Sequence, residues 1–363
     1  MLVRFKLFVI CVTGFVLLSG CSSKEPDIQV LCNWTKIGNY IIKWETNPPM
    51  DGALKVYVSD NPELFDKNSL ACTADLKRGV TRFISNDNIT RKYFLLSFND
   101  KYFRTVSARW LTLDYVHNLR DLGGYFTADR KHMVRWGRVF RSGQLSDINE
   151  LDSFRIANLK VKTIIDLRSA EDFRNHPSKY TNANIINIPI LKNDFDELQK
   201  KVQEGRMRRG DAMLYLQDLY LQFIFKYSGQ FGKALKLFAD KENYPILFNC
   251  YLGKDQSGFL AAMLLEILGM PEETIIRDYA DSWGCIRKDL LMYLAKDLGY
   301  DGQETITTLL SSNEALMSFT LQQIKKKYGS IDNYVSKELK ISDSERDAIR
   351  NAILLEREYP EFE

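Results

Sequence analysis

The chain has 363 residues, 45% of them hydrophobic and 27% charged, which is typical of one or two globular domains with their own cores. Its formal net charge is only +3 at pH 7, so the sequence excludes the strongly basic footprint of a nucleic-acid-binding protein. The three histidines, His117, His132 and His176, show no metal-ligand spacing with the cysteines, and no metal centre is predicted.

The first twenty residues have the pattern of a targeting signal. Arg4 and Lys6 form a positive start, and residues 7–18 are apolar but too few to span a bilayer. The following LLSGC resembles the cleavage box of bacterial lipoproteins, which implies that the signal is removed and that Cys21 is lipidated at the start of a short tether, residues 21–27. An uncleaved membrane anchor is the alternative. Either interpretation predicts an exported protein of the bacterial cell envelope that is held on a membrane.

Residues 28–113 are predicted to form a small all-β sandwich domain. Residues 40–46 and 54–59 alternate apolar with polar side chains, as half-buried strands do. Residues 92–113 have the pattern of a hairpin that turns at the Asn-Asp pair 99–100. Short strands separated by Asn, Asp, Pro and Gly favour a sandwich of the fibronectin-type-III-like kind.

This predicted sandwich contains two cysteines, Cys32 and Cys72. In an oxidising compartment they could form a disulfide, and two unpaired buried thiols are equally compatible with the sequence. Both alternatives stay open at this point.

From about residue 115 to residue 357 the pattern changes to alternating strands and helices. The predicted strands are residues 134–140, 161–167, 185–190 and 244–248. Such alternation indicates an α/β domain with a largely parallel central sheet flanked by helices. Ligands of these sheets bind beyond the carboxyl ends of the strands, so Cys250 at one end and Asp166 with Arg168 at another are expected to face one crevice.

The stretch NCYLGKDQSG, residues 249–258, carries the candidate chemistry. Cys250 stands between a predicted strand and the N-terminus of a predicted helix. The unpaired N–H groups and partial positive charge of a helix N-terminus bind anions and stabilise a thiolate, which is the nucleophilic form of cysteine. The pattern therefore favours a reactive cysteine, and the alternative is a structural cysteine at the end of a core strand.

NCYLGKDQSG resembles the HCxxGKDRTG signature of the bacterial tyrosine/serine phosphatases, a family that includes dual-specificity enzymes. Cys250, Gly253, Lys254, Asp255 and Gly258 match the signature. Further blocks of the chain resemble the family in the family's own order: NLRDLGGY (118–125), VFRSGQL (139–145), VKTIIDLRSAEDF (161–173), IIRDYADS (275–282) and KKYGSIDNYV (326–335). The resemblance covers about residues 115–357 and implies a cysteine-phosphatase-like fold.

The resemblance also implies roles for individual residues. Cys250 attacks phosphorus to form a cysteinyl-phosphate, and Asp255 acts first as general acid and then as general base. Lys254 adds charge that broadens substrate choice toward phospholipid headgroups, and Ser257 donates a hydrogen bond to the sulfur. The mechanism needs no metal and no cofactor. The predicted phosphate-binding residues are Tyr251, Leu252, Gly253, Lys254, Gln256 and Ser257, with Arg168 added from the neighbouring strand.

Three positions depart from the signature: Asn249 replaces histidine, Gln256 replaces arginine and Ser257 replaces threonine. The arginine is the serious loss, because its charged planar fork binds two phosphate oxygens at once and glutamine cannot. A transition-state arginine contributes roughly 10³- to 10⁵-fold in rate in other phosphoryl-transfer enzymes. Weakened activity is therefore predicted, with Arg168, Arg120 and Arg141 as candidates to replace the missing contact.

Two alternatives to an active phosphatase stay open. The protein is either a pseudophosphatase that binds phosphorylated ligands without turning them over, or a surface adhesion or scaffold lipoprotein in which the sandwich carries the function. The predicted partner is a phosphorylated protein or a phosphoinositide, and phosphotyrosine, phosphoserine and phosphoinositide are not distinguished. The charged stretch 191–210 and the helix after it are either a lid over the site or a plain solvated helix pair.

Overall fold

A computed structural model describes residues 25–35, 37–66, 68–191 and 195–356 of the chain. The predicted signal segment and Cys21 lie outside the described residues. Within those residues, no helix combines the length and the apolar character that crossing a membrane requires.

Residues 27–107 form two packed antiparallel sheets, as predicted for the sandwich. One sheet has the strand order β1-β2-β5 and the other β4-β3-β6-β7. Along β2, every second side chain (Tyr40, Ile42 and Trp44) is buried between the sheets, which is the alternation that the sequence shows. The strands are β1 (Asp27–Trp34), β2 (Tyr40–Asn47), β3 (Ala53–Ser59), β4 (Leu70–Asp75), β5 (Val80–Phe83), β6 (Tyr93–Phe98) and β7 (Tyr102–Ser107).

Two details of the sandwich answer open points of the sequence analysis. The β6–β7 hairpin turns at Asn99 and Asp100, both with φ of 54°, as the Asn-Asp pair predicts. Cys32 and Cys72 are both free thiols, and the Cys72 sulfur lies 3.5 Å from the hydroxyl of Thr81. Burial raises the pKa of the Cys32 thiol to about 12. The fibronectin-type-III likeness stays a prediction.

The second half of the chain contains a five-stranded sheet with the order β12-β11-β13-β10-β8, in which β12, β11, β13 and β10 are parallel and β8 is antiparallel. The largely parallel central sheet that the sequence predicts is therefore present. A separate two-stranded sheet pairs β9 with β14. The strands are β8 (Arg120–Asp121), β9 (His132–Val134), β10 (Val139–Ser142), β11 (Thr163–Asp166), β12 (Asn184–Asn187), β13 (Ile246–Asn249) and β14 (Leu354–Glu356).

The predicted strand 134–140 is wrong as a single element. Val134 ends β9, whereas Val139 begins β10 in a different sheet. The chain turns between them at Gly137, whose φ of +73° a β-strand does not tolerate. Hydrophobicity alone does not reveal this turn because Trp136 on it is itself buried.

Helices cover both faces of the five-stranded sheet. Helix α6, which follows the Cys250 loop, is buried on nearly all sides, as its apolar spacing predicts, and this anchors its N-terminus against the sheet. The helices are α1 (Glu150–Asn158), α2 (Ala170–Asn175), α3 (Phe195–Gln203), α4 (Arg209–Phe225), α5 (Ser228–Lys236), α6 (Gln256–Ile267), α7 (Glu272–Ala280), α8 (Ser282–Cys285), α9 (Lys288–Ala295), α10 (Tyr300–Leu310), α11 (Glu314–Tyr328), α12 (Ile331–Lys337) and α13 (Asp343–Ile353).

Candidate active site

The loop of residues 250–255 leaves the central strand β13 and enters helix α6. In register, Asn249 at the end of β13 lies opposite Ser142 on one side and Asp166 on the other, so three carboxyl ends meet at this edge. Gly253 has φ of +70°, and a Cβ built on it would lie 2.5 Å from the carbonyl carbon of Ser142. Only glycine fits there, because a side chain would clash with backbone.

Two carbonyl groups of this loop accept hydrogen bonds from neighbouring segments of the chain. The Gly253 carbonyl accepts hydrogen bonds from Asn118 Nδ2 at 2.6 Å and Arg141 Nη2 at 2.8 Å. The Tyr251 carbonyl accepts one from the amide of Gln144 at 3.0 Å. In the described part of the chain, no protein group accepts a hydrogen bond from the amides of residues 251–255. Fixed carbonyls and free amides are what a loop that binds an oxyanion requires.

The N-terminus of helix α6 follows this loop directly. Asp255 is the N-cap residue, yet its side chain makes no capping hydrogen bond. The first-turn N–H groups therefore keep their partial positive charge beside Cys250.

Cys250 is buried, with only 2% of its surface exposed. Its sulfur lies 3.4 Å from the hydroxyl oxygen of Ser257, within reach of a hydrogen bond to sulfur. The structure thus brings together the two side chains for which the sequence predicted this contact.

Asp255 is partly open to the crevice, with 23% of its side chain exposed. Its Oδ1 atom accepts a hydrogen bond from the Tyr220 hydroxyl at 3.1 Å and lies 3.3 Å from Lys254 Nζ. Helix α4, which provides Tyr220, thereby fixes the orientation of this carboxylate.

Lys254 has a buried position that the sequence did not predict. Its Nζ donates to the carbonyls of Leu309 at 2.6 Å and Ser311 at 3.1 Å, and its side chain is 1% exposed. These carbonyls belong to the C-terminal end of α10, where the helix dipole favours a cation. Contact between Lys254 and a phosphate would require these bonds to break, so that role stays a prediction.

The three arginines proposed as replacements for the missing one are each paired with a buried aspartate, although Nε of Arg141 has no hydrogen-bond partner among the described residues. Arg168 donates to Asp166 through Nε and Nη2, at 3.0 and 2.7 Å, and to Ser146 and the His176 carbonyl through Nη1. Arg120 and Arg141 are completely buried. None of the three lines the cavity beside Cys250. A phosphate contact from Arg168 therefore stays a prediction that requires a rearrangement.

Arg120 and Arg141 converge on Asp278 of helix α7. Arg141 Nη1 donates to Asp278 Oδ2 at 2.7 Å, and Arg120 lies 3.3 Å from both carboxylate oxygens. Burial raises the pKa of Asp278, but the neighbouring guanidinium groups of Arg120 and then Arg141 outweigh it and lower the pKa to about 2. The ionised Asp278 thus holds both arginines behind the loop, where Arg141 and Asn118 bind the Gly253 carbonyl.

Gln256 begins helix α6 and is 9% exposed. Its Nε2 donates at 3.3 Å to the carbonyl of Leu191. The side chain therefore borders the cavity next to Cys250 and Asp255, and its amide contacts the segment before α3.

The cavity over Cys250 is small, about 50 Å³, and helices α3 and α4 cover it. Its apolar side is formed by Phe195, Leu198, Tyr215, Leu216 and Leu219, and the Phe195 ring stacks on Tyr251 with centroids 6.5 Å apart. The sequence left residues 191–210 and the following helix as either a lid over the site or a solvated helix pair. The position of these side chains over Cys250 favours the lid. Wider clefts of about 500 and 870 Å³ exist elsewhere, but neither borders Cys250.

Sequence reasoning missed three residues of this site. Asn118 and Asp278 lie inside blocks that already resembled the phosphatase family, NLRDLGGY and IIRDYADS, so a signal was present. Tyr220 lies 35 residues from its partner Asp255 in a helix without a motif, and no sequence signal identifies it.

The fold defines the class of the chain: a cysteine-phosphatase-like α/β domain in which Cys250 lies between strand β13 and helix α6. The family model described as the tyrosine phosphatase family matches residues 111–355, and the chain belongs to this family. It is thus a phosphoric monoester hydrolase of the protein-tyrosine-phosphatase-like class.

Named relatives agree with this assignment. A protein of Cupriavidus necator named as a tyrosine-protein phosphatase is 26% identical over 235 residues, which cover 64% of this chain and 84% of the relative. The triple specificity protein phosphatase PtpB of Mycobacterium tuberculosis is 27% identical over 189 residues, 46% of this chain and 66% of PtpB. A tyrosine-protein phosphatase of Nostoc commune is 28% identical over 145 residues, 39% of this chain and 47% of the relative.

Two solved structures are also similar. The core catalytic domain of the S. cerevisiae PP-IP phosphatase SIW14 shares 15% identity over 62% of this chain and 98% of its own, with a TM-score of 0.28. P. aeruginosa TpbA shares 14% identity over 52% of this chain and 96% of its own, with a TM-score of 0.25.

Proposed function

We propose that the protein hydrolyses phosphomonoesters through a cysteinyl-phosphate on Cys250. The observation that carries this proposal is the loop geometry, in which a cysteine faces free loop amides and an uncapped helix N-terminus. The Cys250 sulfur forms a bond to phosphorus as the bond from phosphorus to the leaving oxygen breaks. A water molecule then attacks phosphorus, the S–P bond breaks, and phosphate is released with the thiolate restored.

Asp255 is the acid and base of both steps in this proposal. It gives its proton to the leaving oxygen in the first step and takes a proton from water in the second. Its partial exposure and its hydrogen bond from Tyr220 support the assignment, because the carboxyl group is held at the mouth of the loop. Ser257 stabilises the sulfur as a leaving group in the second step, supported by its 3.4 Å contact.

Gln256 makes the enzyme slow in this proposal. The charge that an arginine would bring to the transition state is missing, and Arg120, Arg141 and Arg168 are bound to Asp278 or Asp166. Backbone amides, together with the neutral side-chain amide of Gln256, then hold the phosphate oxygens.

In this proposal α3 and α4 move apart to admit the substrate, since the cavity over Cys250 has a volume of only about 50 Å³. A phosphorylated protein or a phosphoinositide is the proposed substrate class. We also propose lipidation at Cys21 and a location on a membrane of the cell envelope, for which the LLSGC sequence is the support.

The first test is Cys250→Ser in the full-length chain. Turnover of a phosphotyrosine peptide is expected to fall below detection, because the serine hydroxyl is not ionised as a thiolate is. Phosphate release and trapping of a phosphorylated protein after acid quench measure the effect. Cys72→Ser, at a half-buried free cysteine on β4 of the sandwich, is the matched control and should retain full activity. Unchanged turnover in Cys250→Ser would contradict the proposed mechanism.

A second prediction concerns Asp255→Asn. The rate for an alkyl phosphate is expected to fall about 10²- to 10⁴-fold, since loss of a positioned general acid has effects of this size. The rate for an aryl phosphate with a good leaving group should fall much less. Comparing kcat for the two substrates checks the prediction, and an equal loss on both would assign Asp255 a purely structural role.

A further inference from the structure

Arg91 belongs to the sandwich, two residues before β6, and lies outside the region 111–355 that the family model matches. Its side chain is 3% exposed. The guanidinium group donates to Ser107 Oγ at 3.0 Å, to the Ala108 carbonyl at 2.8 Å and to Asp121 Oδ2 at 2.7 Å. A sandwich side chain therefore reaches the edge strand β8 of the catalytic sheet.

Asp121 depends on this contact. Its carboxylate is completely buried and also accepts hydrogen bonds at 2.7 Å from the amides of Gly123 and Gly137. Arg91 is the cation that balances its charge in this environment. The guanidinium carbon also lies 5.8 Å from the ring centroid of Phe140, on the next strand β10.

Strand β8 links the Arg91–Asp121 contact to the Cys250 loop. Its two side chains, Arg120 and Asp121, point to opposite faces of the sheet, as successive residues of a strand do. Asp121 is held from the sandwich side, and Arg120 before it is bound to Asp278 and Asn118. Asn118 in turn binds the Gly253 carbonyl at 2.6 Å.

The chain that joins the sandwich to the catalytic domain reinforces β8. The amide of Asp121 donates to the Arg109 carbonyl at 3.0 Å, and the amide of Leu111 donates to the Leu119 carbonyl at 3.0 Å. β8 is therefore bound by β10 on one edge and by this connecting segment on the other.

We infer that Arg91 is a positioning residue of the phosphatase site, and that the sandwich is a structural part of the catalytic unit. Arg91 holds β8 in place through Asp121. The neighbouring Arg120 and Asn118 then hold the Gly253 carbonyl of the Cys250 loop, so that the loop amides stay free for the phosphate. The inference rests on the proposed function only in naming phosphate as the ligand.

Arg91→Lys in the full-length chain tests this role. Lysine keeps the charge but lacks the planar fork that joins Ser107, Ala108 and Asp121. The Kd for inorganic phosphate, measured by calorimetry, is expected to rise about tenfold, because a loop that is less firmly held must be ordered when phosphate binds. Hydrogen exchange of the backbone in residues 118–123 and 250–256 is expected to quicken.

Two further variants separate positioning from loss of stability. Trp44→Phe removes the sandwich hydrogen bond from the indole to the Leu76 carbonyl, far from β8, and should lower Tm without changing phosphate affinity. Arg91→Met combined with Asp121→Asn removes both charges, so that no unpaired ion is left buried, and should still weaken phosphate binding.

The outcomes distinguish the two proposals. If the native chain binds no phosphate, the proposed function fails, and the exchange measurement alone decides the role of Arg91. Quicker exchange at 250–256 in Arg91→Lys, but not in Trp44→Phe, supports positioning. Unchanged affinity and unchanged exchange at the loop in Arg91→Lys, with only Tm lowered, would overturn the inference.

Discussion

Gln256→Arg is expected to raise kcat for a phosphotyrosine peptide about 10³-fold, at the lower end of what a transition-state arginine contributes in other phosphoryl-transfer enzymes. Gln256 begins helix α6 and borders the cavity with Cys250 and Asp255, so an arginine there stands beside the phosphate. The substitution removes one hydrogen bond, from Gln256 Nε2 to the Leu191 carbonyl. Steady-state phosphate release by the two proteins measures the gain.

Gln256→Lys is the matched control for the arginine variant. Lysine supplies a positive charge without a fork that binds two oxygens, so it should recover only a small part of the rate. An inactive native chain beside an active Gln256→Arg variant would favour the alternative of a pseudophosphatase that binds phosphorylated ligands without hydrolysing them. Equal rates for native, lysine and arginine variants would show that position 256 does not contact the transition state.

Asp278→Asn is expected to lower the free energy of unfolding by about 3–5 kcal/mol, the usual cost of removing one partner from a buried ion pair. The substitution leaves the buried guanidinium groups of Arg120 and Arg141 without their shared carboxylate. Because Arg141 also binds the Gly253 carbonyl, turnover should fall together with stability. Urea unfolding and kcat at a temperature where both proteins are folded measure the two effects.

Glu273→Gln provides the control from the same helix. Glu273 pairs with Arg277 at 2.6 Å, but both side chains are largely exposed, so its loss should cost less than about 1 kcal/mol. Equal effects of the two substitutions would contradict the structural role assigned to Asp278.

The stability difference between the native protein and Asp278→Asn is expected to depend on pH. The pKa of Asp278 is about 2 in the folded protein and near 3.8 when the group is unperturbed, so its ionised form stabilises the fold above about pH 4. As pH falls from 4 toward 2 this carboxylate is protonated in the unfolded chain but remains largely ionised in the folded protein, so the stabilisation is progressively lost. The difference in unfolding free energy between native and Asp278→Asn should therefore shrink over that range, and a constant difference would contradict it.

Several features of the fold and site could be predicted because they are local in the chain. The strand, the loop and helix α6 are consecutive, so apolar spacing and the NCYLGKDQSG sequence define them together. The Asn-Asp turn of the β6–β7 hairpin is local in the same sense. The strand predicted for residues 134–140 failed because a buried tryptophan hid the turn at Gly137.

The hydrogen-bond and ion-pair partners of the long polar side chains could not be predicted from local sequence. Arg120 and Asp278 are 158 residues apart, and Lys254 is 55 residues from the carbonyl of Leu309 that it binds. The residues that neighbour an arginine in the sequence do not show whether its side chain enters the crevice or binds the carbonyls of the loop. That choice depends on which carboxylates the packed helices bring within reach.

The sequence by itself placed a cysteine between a strand and a helix, a carboxylate at the helix start and a glutamine at position 256, where the signature that it resembles has arginine. Only the tertiary structure decided that Arg120, Arg141 and Arg168 are bound to buried aspartates and that Tyr220 orients Asp255. The physical reason is that a buried charge must be paired, and its partner is set by the packing of distant elements.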